Sequence, residues 1–237
     1  MKKFFVNYLV IAAISVFAAS GQNNERRNGA AYNPDGIELV YVEGDNATGM
    51  KGFYIGKFEL TQAQWEKIMG TNPSGFKGAG NLPVENVSWN DIQEFLKRLN
   101  SATGKNYRLP TDVEWEFAAR GGTATKSCPD GCEYSGGNDL DKIAWYKSNS
   151  NERTQPVGTK APNELGIHDM TGNVWEWCEN EIVFPPRPGS DAPPAVRRAV
   201  RGGSWGSDVP RRLQPVFRTG DAPDYKSHYL GLRVVLP

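Results

Sequence analysis

Asp169 and Glu176 lie in the segment DMTGNVWEW, in which oxygen donors are spaced as a hard cation would need them. Side chains along an extended segment alternate in direction, so Trp175 and Trp177 share one face while Glu176 takes the opposite one. The carbonyls of Gly172 and Val174 fall on the same side as that carboxylate, and Asp169 lies just across a turn that Gly172 permits. Four oxygens gathered in so short a stretch suit calcium, which prefers carboxylates and carbonyls. The same residues also admit a plainer arrangement, with the tryptophans in the core, Gly172 and Asn173 in a tight turn, and both carboxylates solvated.

Other reactive side chains are sparse. Cys128 and Cys132 lie in CPDGC, where Pro129 and Gly131 can turn the chain back on itself, and a disulfide closing this short loop is expected. Cys178 is then left as an unpaired, buried thiol. His168 and His228 are far apart and lack the spacing of a zinc site. Ser207 has no nucleophile-elbow motif around it, which argues against a serine hydrolase.

These residues must be positioned by a loop-rich fold. Ile37 to Val42 and Gly52 to Leu60 read as strands. Thr61 caps a short helix that runs through Met69 and stops at Gly70. Ser88 with Asp91, and Thr111 with Glu114, form capping boxes for two further helices, the first ending at Gly104 and the second at Gly121. Every acidic side chain in these helices is expected to cap or to face solvent, which leaves no catalytic carboxylate pair. RAVRGGSW and LGLRVVLP read as strands enclosing a polar excursion, and a proline-rich insert spans Phe184 to Pro194. That excursion is the expected functional surface.

The chain has 237 residues, with 27 basic and 27 acidic side chains, 26 glycines, 16 prolines and seven tryptophans. That balance gives no electrostatic footprint for nucleic acid. Lys2 and Lys3, an apolar run through Ala19 and the small residues around Ser20 make residues 1–20 a signal peptide. The run is short for a membrane span, so none is expected in the mature chain. Residues 21–35 read as a polar linker and residues 36–237 as one domain. The protein is therefore expected outside the cytoplasm: periplasmic, at the cell surface or secreted.

Six blocks in order, FYIGKFELTQAQWEKIMG, LPVENVSW, YRLPTDVEWEFAARGG, NELGIHDMTGNVWEWC, RGGSW and GLRVV, resemble the formylglycine-generating enzyme (sulfatase-modifying factor) family. The resemblance runs from about Ile37 to Pro237 and implies an α+β, loop-rich variant of the C-type lectin fold. It also implies a structural calcium ion at Asp169, Gly172, Val174 and Glu176. The family's oxidases activate oxygen at copper held by two cysteines shortly after a GGS motif. Counting from Gly202, Gly203 and Ser204, those positions hold Ser207 and Arg212. A hydroxyl is a poor ligand for copper(I) and a guanidinium repels the metal, so copper is not expected.

The resemblance and the departure together imply a non-oxidase domain that binds a protein or glycan ligand of the cell envelope. Trp205, Ser207, Arg212 and Arg218 are the expected binding residues. The competing reading is an oxidoreductase of the formylglycine-generating type acting on a cysteine of a sulfatase or another protein.

Overall fold

The computed structural model describes residues 36–124, 131–189 and 191–237. The expected signal peptide, the linker and Cys128 lie outside the described residues. Two antiparallel strands, β1 (Leu39–Val42) and β2 (Phe53–Gly56), open the fold. Next come α1 (Gln62–Met69), α2 (Trp89–Thr103), α3 (Asp112–Ala119) and the one-turn α4 (Leu140–Ile143). The remaining strands are β3 (Trp175–Phe184), β4 (Ala195–Arg201), β5 (Thr219–Asp221), β6 (Leu230–Gly231) and β7 (Val235–Leu236). They complete one sheet ordered β1-β2-β7 and a second ordered β5-β4-β3-β6. The architecture is α+β in a single domain, and no helix among the described residues is long and apolar enough to cross a membrane.

The helix boundaries follow the capping chemistry. Thr61, Ser88 and Thr111 each accept a hydrogen bond from the backbone three residues on, and the side chains of Gln64, Asp91 and Glu114 return the contact. Gly70 and Gly104 end α1 and α2 in the left-handed conformation. The apolar stripe Ile92, Phe95, Leu96 and Leu99 turns α2 inward, and Trp65 of α1 stacks on Phe95 at 4.9 Å between ring centroids.

Strand β3 separates two hydrophobic clusters, and its period of two decides which residue meets which. Trp177 joins Val87, Val200 and Leu230 in the cluster built on α2, with Trp175 packed at its margin. Cys178 faces the other way, into a cluster with Trp115, Met170 and Ala199. Cys178 is a free, fully buried thiol, and burial pushes its pKa well up, which makes it unreactive. The proline-rich insert proves to be the connection of a long β3–β4 hairpin, whose pairing extends to Phe184 and Ala195.

Candidate functional site

At the start of β3 the fold collects charge in its interior. Asp169 and Asn173 adopt left-handed backbone angles, φ 60° and 56°, which short polar side chains tolerate. Gly172, at φ 85°, lets the chain pass directly against the backbone of Trp145. This turn delivers Glu176 to a fully buried position on the face opposite Trp175 and Trp177.

There the carboxylate is completely engaged. Arg233 donates from Nη2 to Oε1 at 2.8 Å and from Nε to Oε2 at 3.0 Å, and Trp115 donates from Nε1 to Oε2 at 2.6 Å. Arg233 also donates to the carbonyls of Gly56 and His168, and so ties β2 and the turn before β3 to the C-terminal strands. Burial pulls the Arg233 guanidinium down most strongly, but the charge and hydrogen bonds of Glu176, together with Glu59 and Asp169, hold its pKa above the ordinary value.

Two more carboxylates belong to this interior group. Glu59 accepts from Asn173 Nδ2 at 2.6 Å and from Val174 N at 3.0 Å, and Asp169 Oδ2 accepts from Gly158 N at 2.7 Å. Burial, reinforced by Asp169 and Glu176, pushes Glu59 well above the usual carboxylate range, and burial likewise raises Asp169.

These details bear on the expected cation. Gly172 and Val174 are buried, and their carbonyls accept no hydrogen bond from a described residue. Asp169 has one oxygen beyond its contact with Gly158. Glu176 is different, because Arg233 and Trp115 already occupy both of its oxygens. No three Asp, Glu, His or Cys side chains among the described residues converge on a metal-binding point. The donors left for the expected calcium are one oxygen of Asp169 and the two carbonyls, while Glu176 is engaged by Arg233 and Trp115.

The second feature is a cavity of about 470 Å³ on the other side of the sheet. Trp175, Val200 and Leu230, from β3, β4 and β6, form its floor, and Phe217, Tyr225 and Tyr229 add aromatic walls. Trp175 and Phe217 approach to 5.9 Å between ring centroids. Tyr225 and Tyr229 are 46% and 42% exposed, so their rings are open to an incoming group.

Of the four residues expected to bind a ligand, Ser207 and Arg212 line this cavity and Trp205 and Arg218 do not. Trp205 is buried, donates through Nε1 to His228 O at 2.9 Å and stacks behind Tyr229 at 4.3 Å, so it supports the wall from outside. Arg218 pairs with Asp112 at 2.8 Å. That contact also corrects the expectation that acids in the helices are solvated or capping, since Asp112 is buried and lies 3.7 Å from Arg201 as well. Ser207 lines the cavity without being poised for chemistry: it is buried, and its Oγ accepts the Ser204 N–H at 3.0 Å.

The residues missed from sequence are Trp175 as floor, Phe217, Tyr225 and Tyr229 as walls, and Asp208 and Asp221 as charges. A signal for the walls was present, because exposed aromatics within a polar excursion are common at binding surfaces.

Comparison with known proteins places this arrangement. The model for the Sulfatase-modifying factor enzyme 1-like domain matches residues 29–237. The chain belongs to the sulfatase-modifying factor family. It is 33% identical to the Chaperone protein LppX of Paenibacillus barcinonensis, over 88% of this chain and 90% of that one. It is 34% identical to the Formylglycine-generating enzyme of Streptomyces coelicolor over 72% of this chain, and 31% identical to the Inactive C-alpha-formylglycine-generating enzyme 2 of Bos taurus over 73%. These matches span 57% and 56% of those two relatives. Among solved structures, Treponema denticola variable protein 1 superposes with a TM-score of 0.69 at 26% identity, covering 86% of this chain and 97% of that one.

Proposed function

We propose that this chain is an exported, non-oxidase member of the family that holds a polypeptide partner at the cavity between β3 and residues 204–230. The observation that carries this reading is what stands where the family's oxidases place their two cysteines. Ser207 is closed into a turn by its own hydroxyl, and Arg212 brings a fixed positive charge to the cavity edge. No cysteine follows Cys178 in the sequence. Oxygen activation through a thiolate pair has no ligands here, while the aromatic walls suit a docked side chain. The relatives named as a chaperone and as an inactive enzyme support a binding role, and the chaperone favours a polypeptide over a glycan. Residues 1–20 support export.

Two assays on the mature protein separate this reading from oxidase activity. Given copper(I), oxygen, a reductant and a sulfatase-type cysteine peptide, it is expected to form no aldehyde above a metal-only control by mass spectrometry. It is also expected to slow aggregation of a reduced, unfolded secreted enzyme, and Tyr229→Ala should weaken that effect about tenfold, as loss of an aromatic anchor does. Aldehyde above the control would establish the oxidase instead.

Calcium belongs to the same proposal, as a structural ion at Asp169, Gly172, Val174 and Glu176. Its support is the pair of unpartnered buried carbonyls and the excess of buried carboxylates, Glu59, Asp169 and Glu176, over Arg233. An ion bound only by the folded state stabilises it by mass action. A chelator is expected to lower the melting temperature, and Asp169→Asn to remove that response. Identical melting curves with chelator and with added calcium would eliminate the ion.

A further inference from the structure

The cavity has two unlike ends. At one, Asp208 is already neutralised: Lys147 donates to it at 3.2 Å, and Arg212 adds a second positive charge that helps hold its carboxyl below the usual range. At the other, Asp221 on β5 faces the same space with a weaker partner. Arg197, on the adjacent strand, approaches only to 3.8 Å, and partial burial raises the Asp221 carboxyl. The pairing of β4 and β5, Val200 with Thr219 and Arg198 with Asp221, fixes this carboxylate to the sheet rather than to a loose loop.

Trp175, Phe217, Tyr225 and Tyr229 line the same cavity. Ring faces attract cations, and a carboxylate among them adds a charge-assisted hydrogen bond. We infer that the Asp221 end of the cavity accepts a positively charged side chain, an arginine or lysine, of the polypeptide partner. This rests on the proposed binding function and names the chemistry that site selects. Arg212 contributes to the selection from the other end, because its charge turns a cation toward Asp221. An acidic segment would find only Arg212, already set against Asp208, and would meet repulsion from Asp221.

The test uses blocked tripeptides as probes: acetyl-Gly-Arg-Gly-amide, its lysine analogue, and the glutamine and glutamate analogues. Binding to the mature protein is followed by quenching of tryptophan fluorescence, with Trp175 as reporter. The cationic peptides are expected to bind about tenfold more tightly than the glutamine peptide, as one charge-assisted contact provides, and the preference should shrink as salt rises. Asp221→Asn, nearly isosteric, should reduce the preference to within about twofold while keeping the far-ultraviolet circular dichroism of the parent. If that variant does not fold, the salt dependence in the unaltered protein decides.

Equal affinity for the arginine and glutamine peptides, or tighter binding of a neutral oligosaccharide at the same residues, would overturn the inference. If the cation preference is present and the aggregation assay is negative, the Asp221 site stands and the polypeptide-holding function fails. If aggregation is slowed equally by the parent and Asp221→Asn, and no peptide preference exists, the function stands and the inference fails.

Discussion

Replacing Arg233 by methionine is expected to destabilise the protein by about 3–5 kcal/mol, the range for stripping one partner from a buried ion pair. The substitution keeps much of the side-chain volume, so the loss reports charge and hydrogen bonding rather than a cavity. Glu176, fully buried, would retain only the Trp115 indole, and Glu59 and Asp169 would lose the buried guanidinium that helps offset them. The carbonyls of Gly56 and His168 would lose their donors as well. In a domain of this size such a loss lowers the melting temperature by roughly 6–20 °C.

Arg233→Lys should recover only part of it, since an ammonium cannot serve the carboxylate and two carbonyls in one plane. The double variant Arg233→Met with Glu176→Gln is expected to be more stable than Arg233→Met alone, because it also removes the stranded charge. Melting temperatures for the three variants check this. A double variant less stable than either single one would mean that the pair is not the centre of the charge group.

How much of this was legible in the sequence depends on the reach of each interaction. Ser88 and Asp91 lie within one helical turn and fix the start of α2 wherever the helix goes, so the capping box could be read directly. The alternation of Trp175, Glu176 and Trp177 is equally local, and the structure sets both tryptophans against the α2 cluster and turns Glu176 the other way, to Trp115. Partners from distant parts of the chain were not legible. Asp112 reads as a first-turn acid, and only the fold brings Arg201 and Arg218 to it. Glu176 reads as an open ligand until β7 is placed and Arg233 arrives beside it. The long hairpin was hidden for another reason: prolines mark a break in pairing, and here they occupy the connection while the flanking strands pair normally.

The same turn that delivers Glu176 carries the second large effect. Gly172→Ala is expected to cost at least about 3 kcal/mol, from two sources that act together. The backbone there has φ 85°, a conformation that penalises any Cβ. A Cβ would also stand 2.2 Å from the carbonyl oxygen of Trp145, a backbone atom that cannot swing aside as a side chain would. That oxygen is already committed, since it accepts the Asn173 N–H at 2.8 Å. Relieving the clash therefore requires moving the turn itself, which carries the Asn173 contact to Glu59 and sets the direction of β3.

Gly49 supplies the control. It has a similar φ of 74° and nothing within 4 Å of its added Cβ, so Gly49→Ala should show the conformational penalty alone, about 1 kcal/mol. The difference between the two melting temperatures isolates the close approach. If Gly172→Ala melts no lower than Gly49→Ala, the turn is free to relax and does not fix the buried charge group in place. If the difference is large, the cavity floor should be disturbed as well, because Trp175 follows the turn directly, and the fluorescence quenching by cationic peptides should weaken in the same variant.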